Sequence, residues 1–215
     1  MTAAEGRGSR GVRRSDVARP VVAGDGAVSE GGRASEQRGA IAWFTGLPSS
    51  GKTTLARRVR VRLAEAGRVS VLLDSDELRD LLGAHSYDPD DRDRFYRSLA
   101  ALAGLLANQG VVVLVAATAP RRADRDRARA EVGAGRPAEG RFIEVWVQTP
   151  LAECEARDPK GLYAAARRGE THELPGVGVA YEPPLSPEVI ADGGFDDVAA
   201  AAIEARLGPA AQPRR

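Results

Sequence analysis

The chain has 215 residues, 43% of them hydrophobic, with 31 Lys plus Arg against 30 Asp plus Glu and a net charge of +1. That length supports one ordinary hydrophobic core, and the balanced charge removes any whole-molecule attraction to nucleic acid or a membrane surface. One cysteine, Cys154, excludes an intrachain disulfide. The two histidines, His85 and His172, lie far from it and from each other, which excludes a Cys/His zinc cluster.

Residues 1–38 are rich in Gly, Ala, Ser, Arg and Glu without sustained period, and are expected to form a disordered tail. The same is expected of 208–215, so the folded unit is predicted over 39–207. No apolar run reaches the roughly 20 residues that span a bilayer, and the N-terminus has no apolar signal stretch, so a cytoplasmic protein is expected. Inside the unit, IAWFT (41–45), VSVLL (69–73), VVVLVA (111–116) and FIEVWV (142–147) read as strands. Three of the four are too continuously apolar for a half-solvated strand, as expected of parallel strands covered on both faces. Helices are predicted over 52–66, 91–109, 121–132, 150–157 and 195–206, with a shorter one running through Glu77 to Leu82. This alternation gives an α/β fold, a doubly wound parallel sheet flanked by helices. Ligands in such sheets sit beyond the carboxyl ends of the strands.

Directly after the first predicted strand stands GLPSSGKTT, residues 46–54: Gly46, Leu47, Pro48, Ser49, Ser50, Gly51, Lys52, Thr53 and Thr54. It matches G-x-x-x-x-G-K-[ST] in the strand-loop-helix setting that this motif needs. Its glycines let backbone N–H groups wrap a phosphate, and the helix behind it presents its positive end. Lys52 is placed to bridge the β- and γ-phosphates of ATP, and the Thr53 hydroxyl to ligate Mg2+. The motif does not identify the phosphoryl acceptor.

After the second strand, VLLDSDELR puts Asp74 and Asp76 at the carboxyl edge of the sheet. One carboxylate is a candidate helix cap. The other is a candidate for orienting an acceptor hydroxyl and taking its proton, in a transfer catalysed mainly by positioning and charge stabilisation. No aspartate follows the third strand, so Asp74 and Asp76 are the candidates for the metal and base roles. The run RRADRDRAR, 121–129, alternates in charge as an exposed helix with internal pairs does.

Several motifs in register resemble the adenylyl-sulfate kinase family over about residues 38–192. GLPSSGKTT resembles its phosphate loop and LDSDELR its LDGDNxR; DDR at 90–92 resembles its substrate-binding DR, and AP at 119–120 its SP segment. RDPKGLY is similar to its KGLY lid and YEPP at 181–184 to its closing YE.P. The resemblance implies a P-loop kinase that phosphorylates the 3′-hydroxyl of adenosine 5′-phosphosulfate with ATP and Mg2+, and it implies a homodimer. It assigns Asp76 to the acceptor hydroxyl, with Lys52 and Asp74 as its catalytic companions, and Thr53 and Asp74 to magnesium. Arg79, Arg92 and Lys160 are assigned to the anionic substrate, where guanidinium forks and an ammonium neutralise charge. Tyr87 and Leu174 fall where the family clamps adenine between two phenylalanines, and Phe95 where an asparagine contacts substrate. Thr118 and Ala119 fall in the SP segment, and the resemblance implies that they contact the substrate as well. The Gly/Pro-rich stretch 169–187 is expected to close as a lid that excludes water.

The departures gather on the acceptor side. Ser75 and Glu77 replace Gly and Asn, Glu77 adding a carboxylate expected beside the anion site. Leu174 removes one aromatic face, worth on the order of 1 kcal/mol of base stacking. Ala119 replaces a serine that can carry phosphate; direct in-line transfer needs no phosphoenzyme. Two other readings of the residues stay open at this point: an ATP-dependent kinase with another hydroxyl acceptor, and a nucleotide-binding module without catalysis.

Overall fold

The computed structural model describes residues 39–133 and 142–208, all within one unit, Ser35–Arg215. The two predicted tails lie outside the described residues, apart from Gly208. Five parallel strands, β1 (Ala40–Thr45), β2 (Ser70–Asp74), β3 (Val112–Ala116), β4 (Phe142–Val147) and β5 (Val189–Ala191), form one sheet in the order β2-β3-β1-β4-β5. Seven helices complete the described fold: α1 (Lys52–Glu65), α2 (Ser75–Leu82), α3 (Pro89–Asn108), α4 (Arg122–Gly133), α5 (Leu151–Arg157), α6 (Leu162–Arg167) and α7 (Asp197–Leu207).

β1 is central, and all six of its residues are buried. Because strand side chains alternate in direction, Ala40, Ala42 and Phe44 enter a core with α1 and α7. Ile41 and Trp43 enter a second core with α3. Both faces are thereby covered, which is why the predicted strands read as continuously apolar. Among the described residues, no helix is long and apolar enough to cross a membrane.

Two elements have no counterpart in the sequence prediction. β5 has three residues, too few to show a period, and α6 starts within the KGLY segment, where the preceding proline and glycine favour a loop reading, and runs on to Arg167. Two predicted starts also moved: α3 begins at Pro89, capped by the Asp88 carboxylate, and α7 at Asp197, capped by Asp196.

The expectation of an exposed α4 is corrected, whereas the expected internal pairs are present: Arg121 donates to both carboxylate oxygens of Asp124, at 3.0 and 2.8 Å. Asp124 and Arg125 are buried, and the charges of the helix reach other elements. Arg125 Nε donates to Glu144 of β4 at 2.6 Å, and its Nη1 and Nη2 donate to the carbonyls of Ala119 and Glu182. Arg121 and Arg127 bind Asp93 of α3, and Arg129 holds both oxygens of Glu188. A long arginine carries its charge past the helix edge, so sequence spacing does not choose its partner.

Candidate active site

The phosphate loop runs from β1 into α1 through backbone that a side chain would block. Gly46 has φ 152° and Gly51 φ 100°. A Cβ on Gly46 would meet the Val147 carbonyl oxygen at 2.5 Å, and one on Gly51 the Gly194 nitrogen at 2.6 Å. The loop is fastened from outside: the Thr149 hydroxyl donates to Ser50 O (2.8 Å) and the Tyr163 hydroxyl to Pro48 O (3.0 Å). No side chain caps α1 at Gly51. Its first N–H groups are thereby left for an anion at the positive end of the helix.

Lys52 folds back over this loop, its Nζ donating to the carbonyls of Gly46 (3.1 Å) and Leu47 (2.7 Å). Burial pushes its ammonium down to about 8, against the opposing pull of Asp76 and Asp74.

Asp74 is the cap of α2, its Oδ1 accepting from the backbone of Asp76 (2.9 Å) and Glu77 (3.4 Å). Its Oδ2 accepts the Thr53 hydroxyl at 2.5 Å. A hydroxyl and a carboxylate side by side at the phosphate loop are hard oxygen donors of the kind Mg2+ takes. Among the described residues there is no cluster of three or more His, Cys, Asp or Glu that could hold a metal.

With Asp74 occupied as cap, Asp76 is free to project. Its Oδ2 accepts from Lys160 Nζ at 2.8 Å, and this bond is the largest influence raising the lysine's affinity for its proton. Arg79, three residues on and so on the same face of α2, is only 4% exposed. Its Nη1 donates to the carbonyls of Ala84 and Ser86, while Nη2, also buried, has no hydrogen-bond partner among the described residues. The guanidinium carbon lies 3.9 Å from the ring centre of Phe95 and 4.5 Å from that of Tyr87. Arg92 is buried too, its Nη2 donating to the carbonyl (3.0 Å) and the carboxylate (3.1 Å) of Glu173.

These groups share one cleft of about 1430 Å³. It is lined by Lys52, Thr53, Asp74, Asp76, Arg79, Tyr87, Arg92, Thr118, Lys160 and Leu174, among others. Phe95 and Ala119 do not line it, and their expected substrate contact is corrected. Phe95 is 6% exposed and lies beneath Arg79, stacked edge-on against Tyr96. Ala119 is buried at φ 36°, its N–H donating to the Tyr96 hydroxyl. Glu77 lines the same cleft, as expected, and its exposed carboxylate accepts from Arg57 Nη2 of α1 at 3.1 Å.

The sequence reading passed over Thr149, Glu173 and the Gly193–Gly194 turn packed on the phosphate loop. The paired glycines just past β5 were a usable signal for close backbone approach. Glu173 had none, because its partner is 81 residues away.

A profile of the adenylylsulphate kinase family matches residues 38–192. The chain belongs to the adenylyl-sulfate kinase family. It is 46% identical over 157 residues to the adenylyl-sulfate kinase of Citrobacter koseri, covering 73% of this chain and 76% of the relative. With that of Paraburkholderia xenovorans it shares 44% identity, covering 73% and 84%. Among solved structures it resembles the Mycobacterium tuberculosis APS kinase CysC in complex with AMPPNP and APS. There the TM-score is 0.69 at 39% identity, over 78% of this chain and 95% of that one. Like other adenylyl-sulfate kinases, this family member is an ATP-dependent phosphotransferase with an alcohol acceptor, and its sheet is that of P-loop kinases.

Proposed function

We propose that the chain transfers the γ-phosphoryl group of ATP to the 3′-hydroxyl of adenosine 5′-phosphosulfate, giving ADP and 3′-phosphoadenosine 5′-phosphosulfate. The observation that carries this reading is the shared face of α2. Asp76, a carboxylate free of capping duty, and Arg79, whose buried Nη2 has no hydrogen-bond partner among the described residues, both face the cleft that the phosphate loop enters.

The loop's N–H groups and Lys52 bind the ATP phosphates. Thr53 and Asp74 would hold the magnesium that accompanies ATP. When bound, that ion neutralises charge on the β- and γ-phosphates. Asp76 orients the acceptor hydroxyl and takes its proton as the new O–P bond forms and the bond to the β-phosphate oxygen breaks. Arg79 and Arg92 hold the phosphosulfate, Lys160 neutralises charge beside Asp76, and Tyr87 and Leu174 bracket the adenine. Stretch 169–187 closes over the cleft and keeps water from the transferring group. Its return is fastened where Glu182 N–H donates to Pro120 O and the Glu182 carboxylate accepts from Arg122 N–H.

Incubating the purified chain with ATP, Mg2+ and adenosine 5′-phosphosulfate tests the reading. Stoichiometric ADP and 3′-phosphorylated product are expected by chromatography and mass spectrometry. Protein that binds ATP yet forms no such product overturns it. Residues 39–207 as the kinase unit, a cytoplasmic setting and a homodimer belong to the same proposal. The homodimer is supported by family resemblance alone, and sedimentation of the purified chain decides it.

The lowered Lys52 predicts a pH dependence. Bound phosphate holds the lysine proton more tightly than the free loop does, so nucleotide affinity is full below about pH 8 and falls as pH rises through it. Above pH 8, binding should take up a proton, visible by calorimetry in buffers of different ionisation enthalpy. Lys52→Arg should bind without that uptake, because guanidinium stays charged. Uptake that persists in the variant would place the titrating group elsewhere.

A further inference from the structure

The buried cations of the cleft are not equivalent. Arg79 presents a buried Nη2 with no hydrogen-bond partner among the described residues. Arg92 has its Nη2 taken by two acceptors of the same residue, the carbonyl and the carboxylate of Glu173. The carbonyl alone tethers the 173 backbone to α3, so the carboxylate is not needed to place this segment. Nor is the pair a core pair, since the Glu173 side chain is 45% exposed and lines the cleft. Glu173 thus puts a negative charge where an anionic acceptor needs a positive one.

We propose that Glu173 is a specificity-determining residue that guards Arg92: an acceptor gains Arg92 only by displacing the carboxylate, so Glu173 sets how strongly an anionic group must bind. The inference rests on the proposed function insofar as the anion is the phosphosulfate of the acceptor. The carboxylate weakens anions generally. It disfavours those whose charge is single or diffuse, because they do not offset the loss of the Arg92–Glu173 pair.

Two measurements test it, using the full chain and Glu173→Gln, with Glu173→Ala as a second variant. First, sodium sulfate is titrated into protein saturated with AMPPNP and Mg2+, with sodium chloride as the ionic-strength control. Glu173→Gln should bind sulfate about threefold to fivefold more tightly, the size of a partly exposed ion pair. The gain should shrink as salt rises and vanish when Arg92→Gln is added. Second, the acceptor KM for adenosine 5′-phosphosulfate should fall by a similar factor, more than kcat changes. Unchanged or weaker sulfate binding in both Glu173 variants overturns the proposal, as does a gain that survives Arg92→Gln. A wild-type chain that binds AMPPNP and sulfate but forms no 3′-phosphorylated product sinks the proposed function instead. The sulfate comparison would still decide the role of Glu173.

Discussion

Asp76→Asn is expected to lower kcat about a hundredfold to ten-thousandfold, the range that positioned general bases contribute, with the dissociation constant for ATP nearly unchanged. The amide keeps the shape of the side chain but cannot take the hydroxyl proton. Stability should hardly move, because Asp76 and Lys160 are both more than half exposed and such pairs are worth at most about 1 kcal/mol. The capping of α2 is also untouched, since Asp74 performs it. Steady-state kinetics with a thermal melt separate the cases. A variant that melts like wild type but keeps a tenth or more of its kcat would remove Asp76 from the chemistry.

Glu144→Ala is expected to cost about 3–5 kcal/mol of stability, the range for breaking a buried ion pair by removing one partner. Arg125 would be left 2% exposed with its charge uncompensated. The same guanidinium holds the carbonyls of Ala119 and Glu182, so the loss should also loosen the return of the lid. The double variant Arg125→Met with Glu144→Leu should recover much of the stability, because it removes the buried charge on both sides. Urea unfolding read by midpoint and slope gives both values. A single-variant loss below about 1 kcal/mol would show that Arg125 reaches water or another partner.

What could be read from the chain was local. GLPSSGKTT carries its function within nine contiguous residues, since the turn, the close approach and the helix start are properties of adjacent backbone. The strands were legible because burial on both faces imposes continuous apolar runs. In DSDELR the local rules narrowed the choice to one capping and one projecting carboxylate, and the fold assigned Asp74 to the first and Asp76 to the second. The observed span of α2, Ser75–Leu82, is what puts Asp76 and Arg79 on one helix face.

The departures on the acceptor side could be located in the sequence but not interpreted from it. Glu77 lines the cleft as expected but is paired there with Arg57, whereas the carboxylate that sits on Arg92 is Glu173. Phe95, taken for a substrate contact, is the floor under Arg79.

By itself, then, the sequence determined the phosphate loop and the parallel α/β class, because each is encoded by neighbours or by a repeating period. The choice of Asp76 as base and of the substrate cations came from the resemblance to family motifs. Only the tertiary structure decided which charges meet: Asp76 with Lys160, Arg92 with Glu173, Arg125 with Glu144. Those partners lie 84, 81 and 19 residues apart. The sheet order β2-β3-β1-β4-β5 and the path of the connecting segments bring them together, and a long side chain pairs with whatever charge the fold delivers within its reach.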